Sequence, residues 1–288
     1  MKSRRILYLF LLPALALYIM FFVIPTVAAL GLSFTDWNGI SSNIPFVGLD
    51  NYKELLKDNI FHKSVGNNVK FTLVVLTAQT ALSLVFAIFL MKNSKLNVVY
   101  RTVFFLPMVL ASVSIAFIWM FTYDSNIGAL NVMLGNLGLA KQSWLGNSKI
   151  AIYSLAFAQI WTHIGQVMII FIAGLQSIPE NLYEAARIEG ASAWQTFRYV
   201  TWPLLIPAAT IVVALTTIQS FRAFDLIFVM TDGGPAYATE IISTFLYHNA
   251  FINHRFGLAS ASAVILMLII AVITYTQSKL LASQNKGM

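Results

Sequence analysis

Six long apolar stretches alternate with shorter intervals where most of the charge sits, and this alternation organises the 288-residue chain. The stretches run approximately over Ile6–Leu32, Val69–Met91, Thr102–Tyr123, Ile150–Gly174, Leu204–Met230 and Leu258–Leu281. Each reaches the roughly 20 residues that an α-helix needs to cross a bilayer. Backbone groups in hydrocarbon must be satisfied within their own segment, so helices are the expected form of such runs. The pattern predicts an all-α, polytopic membrane protein with six transmembrane helices.

Composition agrees and narrows the classes. Hydrophobic residues make up 58% of the chain and charged ones 10%, with a mean hydropathy of +0.76. That excludes a soluble globular enzyme. The net charge of +7 does not point to nucleic acid, because the basic residues cluster at the ends of apolar runs, where membrane topology accounts for them. Lys2, Arg4 and Arg5 precede the first run as they would in a signal peptide. That run outlasts a signal core of roughly 7–15 residues, so it is read as a retained span. With Lys92, Lys95, Arg101, Lys279 and Lys286 these residues fall on one side of a six-span topology, which places both termini in the cytoplasm. Lys53, Lys57 and Lys63 lie in a longer interval, beside Asp50, Glu54 and Asp58. The absence of cysteine excludes disulfides and thiolate metal sites.

The polar interval 177–207 carries the strongest local signals. Ser177 with Glu180 fits a capping box with Pro179 in the first turn, and Ser192 with Gln195 fits a second one just past Gly190. The expected shape is helix, glycine turn, helix. Leu182, Tyr183, Ala185, Ala186 and Ile188 interleave with Glu184, Arg187 and Glu189, a surface suited to docking on another protein. An ordinary amphipathic connector fits the same residues.

Glu184-Ala185-Ala186, then Gly190, then Val200-x-Trp202-Pro203 resembles the EAA loop of binding-protein-dependent ABC importer permeases. Its spacing is kept, while Val200 and Trp202 stand where that family has Ile and Leu. The rest of the chain is similar to the carbohydrate-uptake branch. The resemblance implies the MetI-like permease architecture, with 1–288 as a single transmembrane domain and 177–207 as its cytoplasmic coupling loop. Glu184, Ala185, Ala186, Gly190 and Pro203 would then be the ATPase-coupling residues. It also implies a second homologous permease, two ATPase subunits and an extracytoplasmic solute-binding protein. ATP and Mg would be bound in the ATPase partners, with no cofactor in this chain. The location would be a bacterial or archaeal cytoplasmic (inner) membrane.

Val47-Gly48-Leu49-Asp50-Asn51-Tyr52 resembles a family segment that precedes a short interfacial helix, expected here at Tyr52–Leu56. Asp124–Lys149 is expected as a loop that re-enters against the bundle. Pro13, Pro25, Pro107 and Pro207 lie within or at the ends of spans, where each removes a backbone donor and bends the helix.

Polar side chains inside spans usually face a bundle interior or a hydrated path. Span four offers Gln159, Thr162, His163 and Gln166; span two offers Thr77, Gln79, Thr80 and Ser83; span five offers Thr216, Thr217, Gln219, Ser220, Arg222 and Asp225. Each set alone also suits interhelical hydrogen bonding. A sugar path needs neutral donors and acceptors with aromatic faces, so the candidate lining is Thr77, Gln79, Trp161, His163, Thr216, Gln219, Ser220 and Ala223. Trp119, Tyr123 and Phe221 are further candidate aromatics, with membrane-interface anchoring the alternative for Tyr123. Thr216, Gln219, Ser220 and Ala223 share one stripe of a continuous helix. The i,i+3 pair Arg222 and Asp225 is assigned to helix packing.

No G-x-x-x-x-G-K-[ST], H-E-x-x-H or G-x-S-x-G occurs, and His62, His163, His248 and His254 form no local ligand cluster. The reading is therefore a transport subunit without an ATPase site, carrying a sugar, with oligosaccharide favoured. The alternatives are a glycerol-phosphate permease of the same family and an ion-coupled secondary transporter using Arg222 and Asp225. Lipid is an expected partner and nucleic acid is not.

Overall fold

The computed structural model describes residues 11–285, with side chains through Leu280. Lys2, Arg4, Arg5 and Lys286 of the charge pattern, and the first residues of the first span, lie outside the described residues. Among the described residues the only strand-like pairing is an isolated bridge between Thr35 and Phe46.

In chain order the helices are α1 (Leu11–Leu32), α2 (Asp50–Leu55), α3 (Asn59–Leu90), α4 (Lys95–Val109), α5 (Ser112–Thr122) and α6 (Ala129–Asn136). There follow α7 (Ala151–Gln176), α8 (Glu180–Ile188), α9 (Ala193–Phe221), α10 (Asp225–Thr231), α11 (Ile242–Tyr247) and α12 (Phe256–Asn285). Among the described residues α1, α3, α7, α9 and α12 are each long and apolar enough to cross a membrane. A sixth crossing results if α4 and α5 count together, although they meet at 102°.

Two expected spans are thus broken. Span three bends where Leu110 and Ala111 take extended backbone, just after Pro107, whose missing N–H weakens the last turn of α4. Span five stops at Phe221 and resumes as α10 after a three-residue break, with Phe224 at φ −141° and ψ −64°. No glycine or proline lies in that break.

Cα packing divides the chain into two compact units, Met1–His62 with Phe245–Leu268 and Lys63–Thr244 with Ile269–Met288. In the first, no residue of α1 is fully buried, and Val23, Ala29 and Leu32 are partly covered. The short helix expected at Tyr52–Leu56 forms as α2. Asn51, 4% exposed, donates to the Ser33 and Thr35 carbonyls at 2.9 and 2.8 Å. Arg255 holds Glu54 through two bonds of 2.6 Å.

The second unit contains two apolar cores. Phe71, Ile115, Leu155 and Ile227 belong to one, and Ala87, Phe171, Leu205 and Val212 to the other. Helices in lipid associate through close approach and hydrogen bonds rather than through apolar burial. Accordingly, Gly165 brings α7 so near α4 that a Cβ there would collide with the Phe104 carbonyl. Ser83 Oγ ties α3 to α7 by donating to Ile164 O at 3.0 Å. The expected re-entrant loop is built around the buried Asn131. Its amide donates to Gln142 O at 2.9 Å and its oxygen accepts from Gln142 N and Trp144 Nε1. Tyr123 is not an interface anchor: it is 4% exposed and donates to Ser154 O at 2.8 Å.

Candidate functional site

The interval 177–207 folds as helix, turn and helix, with one capping signal reassigned. Ser177 does not open α8. Its hydroxyl donates to Gly174 O at 2.7 Å and finishes α7. Pro179, in extended backbone, stands as the residue before α8 and makes no side-chain cap. Ser192 behaves as expected: Gln195 N donates to Ser192 Oγ at 3.3 Å and Ser192 N to Gln195 Oε1 at 2.7 Å.

Gly190 ends α8 at φ +74°. Gly190 N bonds Arg187 O at 3.1 Å and Ala191 N bonds Ala186 O at 2.9 Å, the paired bonds of a Schellman cap, which needs left-handed backbone at this position. Glu180 in the first turn and Arg187 in the last complement the helix dipole. Further on, Pro203 lies inside α9 and cannot donate to the preceding turn. Phe197–Thr201 widens into a π turn ahead of it, with Trp202 N bonded to Phe197 O.

α8 has no buried residue, yet its sides differ. Tyr183 packs against the core that holds Phe171 and Leu205, and its hydroxyl accepts from Thr201 Oγ1 at 3.3 Å. Ile178, 8% exposed, anchors the chain just before it. Glu184, Ala185 and Ile188 point outward, with Ile188 85% exposed, while Ala186 is half-buried. Trp194 and Tyr199 are also exposed. α8 is thus held at one side by Tyr183 and leaves Ala185 and Ile188, with Glu184, uncovered at the other. The sequence pattern grouped Tyr183 with Ala185 and Ile188 in one mixed surface; that Tyr183 and Ile178 face inward was missed, because an apolar residue beside a span carries no distinguishing signal.

The second feature is a cavity of about 300 Å³ beside α5, α7, α9 and α10. Ser112, Gln159, Thr162 and His163 contribute to its wall, as do Gln219, Arg222, Ala223 and Asp225. His163 Nδ1 lies 3.1 Å from Gln159 O, and Gln219 Nε2 donates to Gln166 Oε1 at 3.3 Å.

The candidate path residues divide. His163, Gln219 and Ala223 line the cavity. Trp161 stacks edge-on against Trp119 with centroids 5.6 Å apart. Thr216 and Ser220 are buried at 1% and 0% exposure, and their hydroxyls lack hydrogen-bond partners among the described residues. Gln79 is buried likewise. Thr77 is exposed, with its hydroxyl returned to Leu73 O at 2.7 Å.

Arg222 and Asp225 correct the packing assignment. The break between α9 and α10 removes the helical register that would have paired them. Both line the cavity instead, and no ion pair joins them. The wall combines the neutral donors and acceptors Ser112, Gln159, Thr162, His163 and Gln219 with an equal number of apolar residues and one charge of each sign, a lining with groups that can bond hydroxyls and apolar surface beside them. Among the described residues no three His, Asp or Glu side chains converge as a metal group.

Comparison with known proteins covers almost the whole length. Residues 79–285 match the model of the family described as binding-protein-dependent transport system inner membrane component. The multiple sugar-binding transport system permease protein MsmF of Streptococcus mutans is 34% identical, over 97% of this chain and 98% of its own. The trehalose/maltose transport system permease protein MalF of Thermococcus litoralis is 32% identical, over 96% and 94%. In structure, the chain superposes with a TM-score of 0.86 on a bacterial alginate ABC transporter in complex with an alginate pentasaccharide-bound periplasmic protein. The identity is 20% there, covering 99% of this chain and 96% of that one.

Proposed function

Since the chain belongs to the binding-protein-dependent transport system inner membrane components and is a permease subunit of an ABC importer, with the ATPase a separate subunit, we propose that its substrate is a sugar, an oligosaccharide in particular. The observation that carries the substrate is the likeness to a multiple sugar-binding system permease along 97% of the chain. The cavity supports it: Gln159, Thr162, His163 and Gln219 offer neutral hydrogen-bonding groups to hydroxyls. Family membership removes the ion-coupled alternative, because the energy source is the ATPase.

In this reading residues 1–288 act as one translocation domain beside a second homologous permease, with two ATPase subunits on one side and a solute-binding protein on the other. ATP and Mg belong to the ATPase subunits. The outward face of α8, with Glu184, Ala185 and Ile188, seats on an ATPase subunit. Gly190 and Pro203 keep α8 and α9 at the angle that docking requires. Substrate passes along the cavity wall, with Arg222 and Asp225 added to Gln219 and His163 as contacts. The membrane is an inner membrane, with both termini cytoplasmic.

The test is uptake by vesicles containing the reconstituted complex. A labelled oligosaccharide should accumulate only when binding protein and ATP are both supplied, and glycerol phosphate should not. Accumulation of glycerol phosphate alone would transfer the reading to that substrate. Orientation is read from single cysteines, which the cysteine-free chain accepts cleanly. Ser192→Cys should label from the cytoplasmic side and Tyr237→Cys, at a position 48% exposed, from outside. Ala238 is a poor reporter at 7% exposure.

A further inference from the structure

On the side of α8 away from Ile188 there is a second cavity, of about 1000 Å³. Its wall joins the ends of α3 and α7 to the inward side of α8 and the first turns of α9. The wall has two characters. Ile88, Met91 and Phe197 give it an apolar part, backed by Leu175 and Ile178, which are 2% and 8% exposed. Lys92 and Arg187 give it two positive charges against the single negative charge of Glu180.

The two cations are uncommitted. Neither Lys92 Nζ nor the Arg187 guanidinium has a hydrogen-bond or ion-pair partner among the described residues. Arg101, by contrast, donates to the carbonyls of Leu90 and Lys92, and Gln176 donates to Met91 O at 3.1 Å. Those bonds occupy carbonyl oxygens that would otherwise attract a cation, so the cavity favours an anion.

Depth selects the kind of anion. α7 has 26 residues, about 39 Å at 1.5 Å per residue, against a hydrocarbon core of about 30 Å. The polar interval from Ser177 to Trp202 follows directly on Leu175 and Gln176, so the helix leaves the hydrocarbon at this end and these residues are assigned to headgroup level. Ile88, 39% exposed, connects the apolar wall to the surface of α3. A small soluble anion would leave that wall unused, whereas an amphiphile uses both parts.

The geometry points to an acidic phospholipid bound behind α8, its phosphate between Lys92 and Arg187 and an acyl chain along Ile88, Met91 and Phe197. The inference rests on the chain spanning a membrane and is independent of what the importer carries. Such a lipid would brace the inward side of the docking helix, next to the Tyr183–Thr201 bond.

The experiment purifies the whole complex from membranes and counts retained lipid by native mass spectrometry. It compares wild type, the double variant Lys92→Gln with Arg187→Gln, and Lys95→Gln as an exposed lysine outside the cavity. Wild type and Lys95→Gln should each keep one acidic lipid per permease. The double variant should bind it roughly 30-fold more weakly, since two basic contacts are lost. Added inorganic phosphate should not displace it, and phosphatidylcholine should not replace it. Should the double variant fail to assemble, Ile88→Asn tests the apolar wall with both cations intact and should also lose the lipid. Equal retention in all variants, or equal retention of phosphatidylcholine, would overturn the site. Displacement by inorganic phosphate would overturn the lipid in favour of a soluble anion.

Discussion

Gln219 on α9 donates its side-chain amide to Gln166 Oε1 on α7 at 3.3 Å, across the edge of the smaller cavity. The bond is long for an N–H···O contact, hence weak. A solute hydroxyl can exchange for either partner at little cost.

Gln219→Leu removes one partner and leaves Gln166 short of a bond in a half-buried place. Transport efficiency should fall by the equivalent of about 1–3 kcal/mol, or sugar preference should shift, with complex yield unchanged. Uptake rates across a sugar panel measure this. Unaltered rates and preference would remove Gln219 from the path.

Asp225→Asn should behave as a path variant and not as a packing variant. Asp225 is exposed at the cavity and makes no ion pair with Arg222, so its neutralisation leaves no buried charge behind. Complex yield and melting temperature should hold while apparent affinity changes. A collapse in yield with normal affinity in the remaining complex would return the residue to a packing role.

Gly190→Val tests the turn. A Cβ at Gly190 would meet nothing within 4 Å, so the cost comes from its φ of +74° alone, about 1–2 kcal/mol or more for a β-branched residue. Sugar transported per ATP hydrolysed should drop because α8 loses its set angle. Wild-type stoichiometry with normal assembly would contradict the role assigned to the turn.

These cases mark what was legible in the chain. Apolar runs and the charges between them located the spans, and Gly190 with Ser192–Gln195 located a turn whose local bonds the residues themselves dictate. The break at Arg222–Phe224 was not legible, since it contains neither glycine nor proline, the residues that mark a helix break locally. For the same reason, reading span five as a continuous helix assigned Arg222 and Asp225 to packing. Ser177 misled because its hydroxyl serves equally well at the end of one helix or the start of the next. Asn131 gave no signal, because its five hydrogen bonds reach chain segments up to 13 residues away.

The Glu54–Arg255 pair makes a pH prediction. The hydrogen bond from Arg255 lowers the Glu54 pKa, against a smaller opposing effect of burial. A carboxylate with a lowered folded pKa adds stability that is present above its unfolded value of about 4.3 and is lost as pH falls through the folded value. Both side chains are 40–45% exposed, so the contribution is at most about 1 kcal/mol. Glu54→Gln should lower the melting temperature slightly at neutral pH, and the gap to wild type should close in acid. A gap that stays constant down to pH 3 would show that the pair contributes through shape and not charge.

The central claim is that the outward face of α8 seats on a separate ATPase subunit. The direct measurement is cross-linking from a single cysteine at Ile188, the most exposed large apolar residue of the loop at 85%, in the assembled importer, with the partner identified by mass spectrometry. The account predicts an adduct with the ATPase subunit that diminishes when Glu184→Lys is added. An adduct with the second permease or the binding protein, or no adduct in a complex that still transports, would contradict it.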